Sequence, residues 1–303
     1  MKAYGETLRQ IREQKGLTMK ELAEGICSIS FLSKFERGDS DITLGLFTKV
    51  LEKLMISFDE FLFVHNEFQS GQLEQFFKAV SNAYKRGNSD ELRKLKEQQT
   101  KKWQQSGVET YQYHVLMLHL CEGILDNKAM DEEVNKEDIQ RLADYFFRVE
   151  VWGHYEFMLY NATMFFLETE TVLQLSRTAY EKSIRYQQFQ KVNDVIGTIL
   201  MNTVTYLLGP VTDFTNDMRF QAELTEFFSY LNALSIPEDK LFERANLIQL
   251  KGAYEFRLGN RDRGIAIMRN AIYVFTELGS VGQANRIENY LIQIMAYSNK
   301  DSL

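Results

Sequence analysis

The chain has 303 residues, 45% of them hydrophobic and 13% aromatic, which is enough for two domains with sizeable cores and excludes a disordered chain. Its 35 Lys and Arg against 42 Asp and Glu leave a net charge of −7, so no general basic field drives it onto nucleic acid. No apolar run approaches the ~20 residues of a membrane span, no apolar signal region opens the chain, and Cys27 and Cys121 lie in no partner motif, which predicts a cytoplasmic protein with reduced thiols.

Residues Gly5 to Lys15 place Leu8, Ile11 and Arg12 at helical spacing and run into Gly16, which predicts a first helix. Thr18 with Glu21 three residues on is a capping box that opens a second helix, whose buried face is Leu22 and Ala23. Gly25 turns the chain. Ser28 caps a third helix, Ile29 to Arg37, and Gly38 ends it where a left-handed residue costs little. Two short helices joined by a Gly-containing turn, the second with a polar outer face, predict a helix-turn-helix that reads the DNA major groove. A hairpin that only packs is the competing reading. Thr43 starts a fourth helix through Phe47, Val50 and Leu54, and Phe58, Phe61, Leu62 and Phe63 make a short fifth.

On the third helix, Ser28, Ser30, Phe31 and Lys34 lie outward, with spacings of three and four among them. Lys34 can donate to guanine O6 or N7 and Phe31 can lie against a thymine methyl, although Phe31 reads equally well as core. Ser30 joins them in base discrimination, while Thr18, Lys20 and Ser28 are placed for phosphate. Residues 1–37 hold seven Lys or Arg against five Glu, and the loop Asp39-Ser40-Asp41 is acidic. One such domain should bind weakly, so a homodimer is expected.

Beyond residue 66 every segment shows apolar residues at helical spacing: 69–86, 89–104, 109–126, 137–150, 154–168, 172–189, 192–208, 214–234, 240–258, 262–278 and 281–297. Pro210 and Pro237 are the only prolines, as tight-turned helices require. The turn Gly87-Asn88-Ser89-Asp90 returns as Gly259-Asn260-Arg261-Asp262, 172 residues later, close to five of the ~34-residue helix pairs of tetratricopeptide (TPR) arrays. Gly252, Gly259 and Ala271 fall where that pattern has small residues, and Gly264 stands where it has Ala. The expected fold is all-α, with a right-handed TPR-like array over 66–303 whose concave face suits an extended peptide. A generic helical bundle is the alternative.

Asn161 and Asn202 each sit in mid-helix among apolar neighbours, where Asn has poor propensity. A carboxamide donates and accepts at once, so either can clamp a peptide unit; a solvent-facing or inter-helix hydrogen bond serves equally. Arg148 can fork a peptide carboxylate or equally pair with Glu150 or a neighbouring helix, and Tyr113, Tyr160, Phe165, Tyr206 and Phe227 are expected to line side-chain pockets. Ile272, Val274, Phe275, Leu278, Tyr290, Leu291, Ile294 and Met295 exceed what an end cap needs and predict a dimer built largely beyond about residue 240. The four histidines hold no i, i+4 pair, and the chain has no nucleophile elbow, phosphate loop or Cys-x-x-Cys, so neither an enzyme, a cofactor nor a metal is expected.

The run Gly-Leu-Thr-x-x-Glu-Leu-Ala from Gly16, followed by Ser-x-Ser-x-x-Ser-Lys-Phe-Glu-Arg-Gly from Ser28, resembles the XRE or phage-repressor type of DNA-binding domain over residues 1–65. With Val-Trp-Gly-His-Tyr-Glu-Phe-Met-Leu-Tyr-Asn from Val151 to Asn161, the whole chain resembles the Rgg/GadR/MutR family. That resemblance implies a five-helix XRE-type domain, a pairing of Arg12 with Glu36, and a homodimeric transcription regulator gated by a short peptide pheromone. Two other functions fit the same residues: a DNA-binding regulator whose repeats dock a protein or small molecule, and a scaffold with a vestigial DNA-binding domain.

Overall fold

A computed structural model describes residues 3–126, 136–209, 219–234 and 236–300, with side chains described as far as 296. Pro210 and residues 214–218 of the segment expected over 214–234 lie outside the described residues. The chain divides into two compact units, 1–88 and 89–303.

The first unit contains α1 (Tyr4–Gln14), α2 (Met19–Ala23), α3 (Ile29–Glu36), α4 (Leu44–Lys53), α5 (Phe58–His65) and α6 (Gln72–Lys85). Local chemistry sets the ends of these helices. The Oγ atoms of Thr18, Ser28, Thr43 and Ser57 accept the backbone N–H groups of Glu21, Phe31, Leu46 and Glu60, so each helix start satisfies an orphan donor. Gly16, Gly25 and Gly38 stop or turn the chain at φ +71°, +77° and +79°, which L side chains rarely adopt. Leu8, Ile11, Leu22, Leu32, Phe35, Phe47, Val50, Leu51, Leu54 and Phe61 close into one core. At the α1–α3 crossing the helices come so near that a Cβ on Gly5 would fall 1.7 Å from the Phe35 carbonyl oxygen.

The second unit runs α7 (Ser89–Ser106), α8 (Glu109–Leu125), α9 (Lys136–Arg148), α10 (His154–Thr163), α11 (Thr169–Ser183), α12 (Gln190–Leu208), α13 (Gln221–Ala233), α14 (Leu241–Arg257), α15 (Arg261–Glu277) and α16 (Val281–Lys300). Short 3-10 turns follow α10 at Met164–Phe166 and α11 at Ile184–Tyr186, where continuous helix was expected as far as 168 and 189. The small residues near the C-terminus act as their spacing predicts. A Cβ on Gly264 would lie 2.6 Å from the Phe256 nitrogen and 2.7 Å from the Gly252 oxygen, so α14 and α15 meet backbone to backbone. Gly259 turns between them at φ +89°, and Ala271 is fully buried.

Helices α10, α12 and α14 pack closely in succession and α8 meets α10 lightly, whereas in the other row α9 meets α11 just as lightly and α11 comes no closer to α13. A stack whose helices touch along one row and separate along the other bends toward the touching row. That row is therefore the inner, concave side of this TPR-like array. No helix among the described residues is long and apolar enough to cross a membrane.

Candidate nucleic-acid interface and receptor face

In the first unit α3 presents Ser28, Ser30 and Lys34 to solvent, with Leu32, Phe35 and Glu36 turned into the core. Phe31 is half-buried and stands outside the core cluster, so it lies on the outward side with them. The side chains of Lys34 and Lys20 make no hydrogen bond or ion pair among the described residues. The other cations are largely spent within the unit. Arg9 pairs with Glu13 at 2.8 Å, Arg37 with Asp39 at 2.7 Å, and Arg12 is buried against Glu36. The cations of this stretch left without an ion pair are thus Lys15, Lys20 and Lys34 among the described residues.

Thr18 does not keep the phosphate role expected of it. Its hydroxyl donates to Glu21 Oε2 at 2.7 Å while accepting the Glu21 N–H at 3.2 Å, so no donor is left for a phosphate oxygen. That hydroxyl bond, with the Thr18 backbone N–H that donates to the same oxygen at 2.7 Å, holds the Glu21 carboxyl below the usual carboxylate range. Ser28 accepts from the Phe31 N–H at 3.1 Å and retains its own proton to donate.

The Arg12–Glu36 pair is bidentate: Nε donates to Oε1 at 2.7 Å and Nη2 to Oε2 at 2.8 Å. Nη1 donates to the Leu17 carbonyl at 2.9 Å, so one guanidinium ties α1, the turn before α2 and the end of α3. The Glu36 hydrogen bond outweighs burial and holds Arg12 charged. The pairing that the resemblance implied is present, and it fixes the angle at which α3 is offered.

In the second unit four expected residues come together on the inner row. Asn202 Nδ2 donates to Asn161 Oδ1 at 3.0 Å, joining α12 to α10. One turn further along each chain, the Phe165 and Tyr206 rings approach at 6.1 Å between centroids. The Tyr206 hydroxyl donates to the Leu167 carbonyl at 3.2 Å, and Phe165 is 44% exposed. The result is a patch with amides at one end and rings at the other, flanked by half-buried Met158 and Thr198.

Arg148 and Tyr113 form another cluster. Both reach Glu109 Oε2 at 3.3 Å, Arg148 through Nη2 and Tyr113 through its hydroxyl. Of the two ion pairs expected for Arg148, the one with a neighbouring helix is present, to Glu109 on α8, and not the one with Glu150; thirty-nine positions of separation kept the residue itself from a local reading. Tyr113 is almost fully buried, and burial followed by the Glu109 charge pushes its hydroxyl up.

Two aromatic assignments are corrected. Tyr160 and Phe227 have no exposed surface and line no groove. Tyr160 packs against Trp152 and Phe146 and donates its hydroxyl to the Val172 carbonyl at 3.0 Å; Phe227 packs edge-on against Tyr230. Of the histidines, His114 is buried beside Gln99 and burial drives its pKa down to about 4, so it stays neutral near pH 7.

The chain matches the family model described as HTH-type transcriptional regulator Rgg, C-terminal domain, over residues 92–289, and a helix-turn-helix model over residues 8–61. Among solved structures it is similar to the Streptococcus dysgalactiae SHP pheromone receptor Rgg2, with 23% identity over 96% of this chain and 99% of that one and a TM-score of 0.78. It is also similar to a transcriptional-regulator structure from Listeria monocytogenes EGD-e, with 22% identity over 98% of each chain and a TM-score of 0.84. The PrgX/iCF10 complex matches at 17% identity over 99% of this chain and 98% of that one, with a TM-score of 0.69.

Proposed function

The chain belongs to the Rgg family of helix-turn-helix transcriptional regulators, and from that premise we propose that it is a cytoplasmic regulator gated by a short peptide bound on the inner row of its repeat unit. The observation that carries this reading is the Asn161–Asn202 pair on α10 and α12. A peptide in a groove must satisfy its backbone N–H and C=O groups, each costing about 1–3 kcal/mol if buried unpaired. With one amide N–H given to Asn161, Asn202 still offers its oxygen and Asn161 its amide hydrogens, a donor and an acceptor side by side. Phe165 and Tyr206 supply an apolar seat beside them, while Arg148, in its separate cluster on α9, would have to exchange Glu109 for a peptide carboxylate. A solved structure described as the SHP pheromone receptor Rgg2 shares the fold over nearly the whole of both chains.

Asn161→Ala and Asn202→Ala are each expected to weaken peptide binding about tenfold, or about 1.4 kcal/mol, with little change in melting temperature or in DNA affinity of the free protein. The ligand comes from a fluorescence-polarisation screen of peptides encoded beside the gene, and calorimetry then compares the variants. Unchanged affinity in both would move the site elsewhere.

On the DNA side, Ser30, Phe31 and Lys34 discriminate bases, and Lys20 and Ser28 hold phosphate. Lys34→Ala should cost about 1–3 kcal/mol at the matched operator and little on random DNA. Lys20→Ala should weaken both alike and flatten the salt dependence. A wild-type ratio of operator to random binding in Lys34→Ala would remove Lys34 from base reading.

We assign homodimerisation to the C-terminal helices in a narrower form than their sequence suggested. Phe275, Leu291 and Ile294 are buried within the chain's own packing, so they are unavailable to a partner. Tyr273, Leu278, Val281 and Ile292 remain about half or more exposed and offer the apolar surface. Few unpaired cations per reading head favour two heads on one operator.

A further inference from the structure

Helix α12 faces two ways. Gly197 lies five residues before Asn202, about 140° round the helix from it, and opens on a cavity of ≈ 410 Å³ between α11, α12, α13 and the start of α14. A glycine inside a helix is destabilising by about 0.5–1 kcal/mol relative to Ala. At Gly252 and Gly264 that cost is offset by backbone contact between helices. At Gly197 it is not: a Cβ there would meet nothing within 4 Å, and no positive φ requires glycine. Among the described residues, the bare Cα is the floor of an unfilled space.

The walls of this space have a definite chemistry. Gln190 Nε2 donates to Asp194 Oδ1 at 2.7 Å and Asn193 Nδ2 donates to the Gln187 carbonyl at 2.6 Å. Both amide groups are thereby anchored by a nitrogen, and their carbonyl oxygens remain as acceptors. Lys240 is tied to Asp194 at 2.9 Å, and Glu243 adds a further carboxylate to the lining, so an anion is disfavoured. Met201, Leu234 and Ile236 make the other wall apolar. The volume falls within the range of small-molecule sites.

We propose that this cavity is a second ligand site, on the opposite side of α12 from the Asn161–Asn202 face, and that it takes a small neutral or cationic molecule with N–H donors and a short aliphatic body seated on Gly197. The test uses saturation-transfer NMR on the full-length protein with N-acetyl-L-leucinamide as probe and N-acetyl-L-leucine as its anionic counterpart. Transfer to the amide is expected at least tenfold stronger than to the acid. Gly197→Leu, which fills the open space, should abolish it while leaving the melting temperature equal or higher. Gly197→Ala should weaken it several-fold and keeps the test valid if the leucine variant folds poorly. Asn202→Ala should leave it unchanged. Absent transfer to the amide, equal transfer to the acid, full transfer in both Gly197 variants, or loss in Asn202→Ala would each overturn the proposal.

Discussion

Gly5→Ala is expected to destabilise the DNA-reading unit by about 3 kcal/mol or more, the upper end of what overpacking costs. The added Cβ would lie 1.7 Å from the Phe35 oxygen, 2.6 Å from its carbonyl carbon and 2.9 Å from Glu36 Cα. All three atoms are backbone of α3, so no side-chain rotation relieves the contact. Helices α1 and α3 must part, and Leu8, Leu32 and Phe35, which close the core between them, part with them. Because α3 is the proposed reading helix, operator affinity should fall along with stability. Gly45→Ala is the control: it lies in α4 with open space above its Cα, and should be neutral or stabilising by up to about 1 kcal/mol. Urea unfolding followed by circular dichroism, with operator titrations on the same samples, measures both. A Gly5→Ala protein that unfolds like wild type would mean that α1 and α3 do not approach this closely.

Arg12→Ala should cost about 3–5 kcal/mol, because it leaves Glu36 a buried, uncompensated charge, and Glu36→Ala less than that, because Glu13 Oε1 still faces the Arg12 guanidinium at 3.4 Å. The Arg12 and Glu36 side chains are only 9% and 2% exposed, so water cannot replace the missing partner. Arg12→Ala also strips the Leu17 carbonyl of its donor. The double variant Arg12→Met with Glu36→Met should lose far less than the sum, since well-packed apolar residues of similar volume often match a buried ion pair. A double-mutant cycle reads the coupling directly. Additive losses would show that the two side chains act independently. A double variant that is stable yet weak on its operator would show that the pair serves mainly to set the angle of α3.

The all-α character, the helix-turn-helix and the repeat turns were legible in the sequence because they rest on local rules. A capping hydroxyl acts on a backbone N–H three residues away, as at Thr18, Ser28 and Thr43. A glycine that ends a helix does so through its own φ, as at Gly16 and Gly38. Apolar spacing over one or two turns finds the buried side of α3 and α4 without knowing what covers it. The family motifs are likewise contiguous runs.

What only the tertiary structure decided depends on chain segments far apart in sequence. Asn161 and Asn202 each stood out alone, but forty-one positions separate them, and only the packing of α10 on α12 makes them a pair. Tyr160 and Phe165 are equally aromatic and almost adjacent, yet one is fully buried and the other 44% exposed, because α11 covers the first and not the second. Gly5 reads as an ordinary helix start until α3 is laid across it, and Gly197 as an ordinary helix interior until the space beside it is found empty. Periodicity reports which side of a helix is apolar; how near the next helix lies is settled by side-chain volumes contributed from elsewhere in the chain, and that distance decides whether a residue becomes core, contact or site.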